Sequence, residues 1–165
     1  MKCIINKLYF SPVKSISFNN SLNLIVQEKI GIKYDRIFSF TRNIDKKKSI
    51  ELEENPKKRN LHLFLTLRNS PFLNKYDFEF KDDQLSLILD NNLINSISIK
   101  NRDNFDIISH ELMSREKLIK NSTYLIYNPK FPFFDTMPNN SISLINLSSI
   151  EHFENKISLK IEHER

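Results

Sequence analysis

The chain has 165 residues, 39% of them hydrophobic, and its 25 Lys and Arg against 20 Asp and Glu give a formal charge of +5. Such a composition excludes collagen and intrinsic disorder and can bury a real core, as one domain or as a domain with part of a second. The only thiol, Cys3, excludes an internal disulfide and a cysteine-rich metal site, and the only glycine, Gly31, excludes phosphate loops of the GxGxxG and Walker types.

The opening MKCIINKLYF has no long apolar segment with a small-residue cleavage site, and no apolar run approaches the roughly 20 residues that cross a bilayer. A cytoplasmic protein without a membrane partner is therefore expected. Runs at 2–10, 22–28, 36–42, 62–68, 76–80, 85–89 and 94–99 are short, rich in Ile, Leu, Phe or Tyr and bounded by Asn, Asp, Ser or Pro, which predicts strands. Asp82 and Asp83 read as a tight hairpin turn. Tyr76, Phe78 and Phe80 alternate with Asp77 and Glu79, as a core face with an acidic outer face would. Between the third and fourth runs, Lys46–Lys48 and Lys57–Arg59 flank the acidic ELEEN, which reads as a solvated loop.

Two helices are predicted. One covers 103–113, with Phe105, Ile108 and Leu112 at spacings of three and four. The other covers about 149–156, where Ser148-Ser149-Ile150-Glu151 has the form of a capping box. Between them NPKFPFFDTMPNN carries three prolines, so it is a constrained loop and a candidate pocket wall. Within it Asp135 is either a catalytic carboxylate or the acceptor of an Asx turn at Met137, and the residues favour neither. His62, His110, His152 and His163 are scattered without metal-ligand spacing, and His152 reads as a surface residue ahead of a ligand or base.

Three stretches carry more than composition. SPVKSI near the start, GIKYDRIFSF some twenty residues on and FPFFDTMPNNSISLINLSSIEHF near the end together resemble the MOSC family, the molybdenum cofactor sulfurase C-terminal domain, with the β-barrel domain that precedes it. Family members open with a strand ending in a Tyr-Pro-Val-Lys-Ser turn, then a Gly-x-x-x-Asp-Arg element and an aromatic strand. Pro12-Val13-Lys14-Ser15 and Gly31 to Arg36 match these in order and spacing. The stretch NPKKRNLHLFLTLRNSPFLNKYDFEF is similar to a bacterial subgroup, in which a Phe-x-Asp-x-Pro loop enters Ser-Ile-Ile-Asn-Leu-Ala-Ser; Asp135, Pro138 and residues 141–149 echo it.

The resemblance implies an α+β, predominantly β fold: a small antiparallel β-barrel-like N-terminal domain over 1–118, then an incomplete MOSC β-barrel domain over 119–165. It implies that Lys14, Ser15 and Arg36 hold the phosphate end of the pterin molybdenum cofactor, with Asp135, Asn146 and Arg165 as further candidate contacts. The chemistry agrees, because lysine supplies a point charge, arginine a fork and serine a neutral donor. Taken singly, Lys14 is an ordinary turn lysine and Arg36 a strand-end partner of Asp35.

Relatives continue into an Arg-Phe-Arg-x-Asn segment and a later cysteine that ligates molybdenum, whereas this sequence stops at IEHER, with Arg165 where that segment begins. No residue is assigned as a metal ligand, and Cys3 is expected to be a small buried hydrophobe. Full-length relatives are molybdenum-dependent reductases or cofactor- and sulfur-handling proteins, with an electron-transfer partner or the rest of the MOSC domain as partners. This chain is expected to be inactive alone and not to retain the cofactor. The alternatives are a non-enzymatic β-barrel module that binds RNA or another polyanion, and an inactive fragment. The mixing of basic with acidic residues along the strands argues against specific nucleic-acid binding.

Overall fold

The computed structural model describes residues 4–16, 18–134 and 145–160. The fold is α+β and mostly β. Among the described residues nine strands form four antiparallel sheets, three of two strands and one of three, with three α-helices and no closed barrel.

The three-stranded sheet is the most regular part. Strands β6 (Tyr76–Lys81), β7 (Gln84–Leu89) and β8 (Asn92–Ser98) are consecutive and pair in sequence order. Both hairpin turns have two residues with positive φ, Asp82 and Asp83 at 51° and 60°, Asp90 and Asn91 at 50° and 63°. This primed geometry matches the twist of the flanking strands, and Asp and Asn tolerate it. Tyr76 faces Leu89, Phe78 faces Leu87 and Phe80 faces Leu85 across the pair. The three aromatics are buried while Glu79 is exposed, so the alternation expected from sequence is the alternation found.

Other strands are shorter than their apolar runs. Strands β1 (Leu8–Phe10) and β2 (Asn19–Ser21) form one hairpin, and β3 (Val26–Gln27) and β4 (Gly31–Ile32) another, in which Gly31 takes φ 100° at the end of the turn. Strand β5 (Phe38–Phe40) pairs with β9 (Leu125–Tyr127), a partner 85 or more residues away that no local pattern announced. Residue 118, the expected domain boundary, lies between these paired strands. Phe38, Phe40 and Leu125 belong to the large core, together with the hairpin sheet and Ile108 and Leu112 of the helix α2 described below. Ser39 pairs with Ile126, which lies in a second, smaller core of Leu52, Phe64, Ile126 and Phe133.

Two expectations are corrected. The strand at 62–68 is absent: Leu61–Leu63 is a turn of 3-10 helix, and only Phe64 makes a bridge, to Thr41. The Asn69 side chain accepts from Thr66 N at 2.9 Å and donates to Phe64 O at 2.9 Å, taking groups that a ladder would have used. The basic and acidic run read as a solvated loop contains helix α1 (Lys46–Glu54). Asp45 caps it by accepting from Lys48 N at 2.7 Å, and Ser49 and Leu52 are buried beneath it.

Both expected helices are present. A 3-10 turn at Arg102–Asn104 runs into α2 (Phe105–Arg115), whose Phe105, Ile108 and Leu112 are buried at the spacing that predicted them. Helix α3 (Leu147–Ile157) begins two residues earlier than its Ser-x-x-Glu pattern suggests, because Asn146, not Ser148, is the cap, accepting from Ser148 N at 3.0 Å. Cys3 lies outside the described residues. No helix among the described residues is long and apolar enough to cross a membrane.

Candidate functional site

The turn at Ser11–Ile16 and the aromatic strand β5 are stitched together. Phe38 N donates to Pro12 O at 3.0 Å and Lys14 N donates to Phe38 O at 2.9 Å, a one-residue parallel bridge between Val13 and Phe38. Ser11 Oγ lies 2.8 Å from Val13 O and 2.7 Å from Ile16 O, closing the turn on itself. Pro12 supplies a fixed φ and has no N–H that would need an acceptor.

Asp35 joins the second stretch to the first. Its carboxylate, 4% exposed as a residue, accepts from Ser11 N at 2.7 Å through Oδ1 and from Arg36 Nη1 through Oδ2. Arg36 N in turn donates to Ser11 O at 2.5 Å. The third stretch closes the corner. Phe133 N donates to Arg36 O at 2.8 Å, Lys14 Nζ donates to Phe133 O at 3.0 Å, and the Arg36 guanidinium carbon sits 5.5 Å from the centre of the Phe134 ring. Lys14 and Arg36 thus reach two consecutive residues of the proline-rich loop.

Their environments differ. Lys14 is 3% exposed, so this turn lysine points inward along the second core face and not into solvent. Burial disfavours an ammonium that lacks partners, and Lys14 is held by more than one interaction. Arg36 keeps a side chain 36% exposed, and with Nη1 on Asp35 its Nε and Nη2 have no partner among the described residues. Ser15, next to Lys14, is half-buried, and its hydroxyl likewise has no partner among the described residues.

The backbone here is strained. Ser15, Tyr34 and Arg36 take φ of 62°, 71° and 53° without being glycine. Each costs about 1 kcal/mol or more and persists only where its surroundings fix it. For Arg36 the bonds on either side of the residue, to Ser11 and Phe133, do the fixing.

Of the other candidates, Asp135 and Arg165 lie outside the described residues, as does His163. Asn146 caps α3, and no hydrogen bond joins it to the corner among the described residues. Among the described residues no group of three His, Cys, Asp or Glu is placed to hold a metal ion. An open cleft of about 450 Å³ lies against the hairpin sheet, lined by Pro71, Phe72, Lys75, Asp77 and Asp90, and it shares no residue with the corner. Its one lining cation, Lys75, is paired with Glu116 at 2.7 Å, whereas the corner brings two cations together, so the corner is the better candidate.

Sequence reasoning missed Arg59, which sat in a run read as solvated. Its guanidinium lies 4.0 Å from the Phe133 ring centre and donates to four carbonyls in two elements. Burial pulls it down to about 10, opposed by Glu53, so it stays cationic at neutral pH. A lone arginine in a basic run carries no signal of that role.

No protein-family model matches the chain, and no curated protein or solved structure matches it. The function therefore rests on the residues and their geometry.

Proposed function

We propose that the chain is a MOSC-type protein and that the corner formed by Ser11–Ile16, Asp35–Arg36 and Phe133–Phe134 holds the phosphate end of the pterin molybdenum cofactor. One observation carries this reading: three stretches singled out in sequence, separated by up to 119 residues, are hydrogen-bonded to one another around two cations. The residues fit an anionic group. Arg36 offers an exposed guanidinium edge, Ser15 a hydroxyl, and Lys14 a buried ammonium whose charge is felt strongly in a low-dielectric setting. Asp35 offsets part of the positive charge, which leaves a small site for one phosphate held by several donors and not a general polyanion groove. When bound, the cofactor supplies two-electron oxidation and reduction at molybdenum; the residues named here bind and orient its phosphate.

The finer architecture belongs to the same reading: a barrel-like N-terminal domain to residue 118 and the start of a MOSC barrel after it, with β9 reaching back to pair with β5. Under it Asp135, Asn146 and Arg165 are further cofactor contacts. The RNA reading is disfavoured because the alternating aromatics of β6 are buried and cannot stack bases.

Equilibrium dialysis against metal-free pterin cofactor under anaerobic conditions, read by pterin fluorescence after oxidation, tests the proposal. Weak, reversible binding of the metal-free pterin is expected, which a chain that does not retain the complete cofactor still allows, and Lys14→Met and Arg36→Ala should each weaken it by about 1–3 kcal/mol, the worth of a charge-assisted hydrogen bond. Absence of binding, or equal binding in both variants, contradicts it. Sequence-selective retention of single-stranded RNA at physiological salt would favour the alternative.

A further inference from the structure

Phe133 is bonded in the corner to Lys14 and Arg36, and the loop that carries it is held from the far side as well. Arg59 follows the 3-10 turn Pro56–Lys58 and donates Nε to Leu52 O at 2.9 Å and Nη2 to Glu53 O at 2.9 Å, both carbonyls in the last turn of α1. Its Nη1 reaches across to Phe131 O at 2.5 Å and Pro132 O at 3.2 Å. The plane of the guanidinium lies near the Phe133 ring, whose other neighbour is Phe64, 5.8 Å away between ring centres. Pro132 has no N–H, so this peptide cannot anchor itself through a donor of its own. Its carbonyl is held by Arg59 instead.

The consequence is a chain of contacts with a direction. Arg59 fixes the carbonyls of Phe131 and Pro132. The next residue, Phe133, takes the Lys14 ammonium on its carbonyl and gives its N–H to Arg36 O. We infer that Arg59 is the positioning residue of the proposed anion site: it touches no ligand, but holds the 131–133 wall against the end of α1 so that Lys14 and Arg36 are presented together. This rests on the phosphate reading for its functional meaning and on the geometry alone for the positioning. Only a planar fork can reach carbonyls on two elements while lying over a ring, so lysine is not a substitute.

Hydrogen exchange of the intact chain, followed residue by residue, tests the positioning without any ligand. In Arg59→Lys and Arg59→Met the Phe133 and Asn128 amides, bonded to Arg36 O and Ile37 O, should exchange at least tenfold faster. Amides of β6–β8 should keep their rates, and Lys57→Ala, an exposed neighbour on the same turn, should change nothing. If Arg59→Met fails to fold, Arg59→Lys decides, since it keeps the charge and most of the stem. Unchanged Phe133 exchange in the folded variants overturns the inference, as does an equal acceleration across β6–β8, which would mark Arg59 as a general stabiliser. Titration with inorganic phosphate separates the two readings. A severalfold loss of affinity in Arg59→Lys alongside faster Phe133 exchange supports both. Faster exchange in a protein that binds no phosphate in any form keeps the positioning role and removes the anion site.

Discussion

The hairpin sheet β6–β8 and the corner around Phe133 are built from opposite kinds of contact. In the sheet every strand pairs with its neighbour in sequence, the turns are two residues long, and the side chains of β6 alternate between core and solvent. In the corner the decisive bonds join residues 24 and 119 apart, and each segment contributes only a bridge or a turn. Periodic structure concentrates stability in a shared core, whereas the corner spends some of it on a buried cation. The first is what folding needs and the second is what a ligand needs.

The difference can be broken first on the side of the sheet. Phe78 is fully buried between Leu87 across the strand pair and Phe40, 5.7 Å away between ring centres. Phe78→Ala should cost about 3–5 kcal/mol of global stability, read by chemical denaturation, with the whole chain losing structure in one transition. A loss confined to β6–β8 would mean that the sheet is a separate folding unit.

A smaller and local effect is expected at the corner. Asp35→Ala strands the Ser11 amide and frees the Arg36 guanidinium, and should cost about 1.5–3 kcal/mol, most visibly as faster exchange of Ser11 and Arg36 amides. Asp35→Asn, which keeps one acceptor oxygen, should cost less. Equal losses in the two variants would show that the carboxylate's charge, and not its bond to Ser11, is what matters.

These two cases explain what was legible. The Tyr76, Phe78, Phe80 alternation and the two-aspartate turn are short-range signals, and Phe105, Ile108 and Leu112 announce α2 just as directly. The capping of α1 by Asp45 was equally local but was masked by the abundance of lysine around it. Strand β9 and the clamp of Arg59 were not legible, because each is defined by a partner far away in the chain. Lys14, Ser15 and Arg36 stood out as a set through the family resemblance; the inward burial of Lys14 did not, since a lysine in a turn ordinarily faces water.

Smaller still is the end of α3. Asn146→Ala removes the acceptor for Ser148 N and should cost about 1 kcal/mol, seen as fraying of the first turn in exchange at Ser148 and Ser149. Ser148→Ala should do nothing comparable, which separates the observed cap from the capping box that the sequence suggested.

The smallest effect is one of pH. Hydrogen bonds from Lys48 and then Lys58 hold the Glu51 carboxyl down to about 2, from an ordinary 4.5. A folded-state value below the unfolded one means that this contribution is complete above about pH 4.5 and fades as pH falls through about 2. The stability difference between the native chain and Glu51→Gln, small because the pair is at the surface, should shrink over that window. A difference that persists unchanged at pH 2 would show that the ion pairs are not its source.

The central claim is that Lys14, Ser15 and Arg36 form one anion site. Its most direct test is titration of the chain with inorganic phosphate, followed by nuclear magnetic resonance at Arg36 Nε and at the Ser15 and Phe133 amides. Shifts are expected at all three, saturating together with one affinity and vanishing in Arg36→Ala, while the resonances of β6–β8 stay in place. Shifts that grow linearly without saturation, or that survive unchanged in Arg36→Ala, would contradict it.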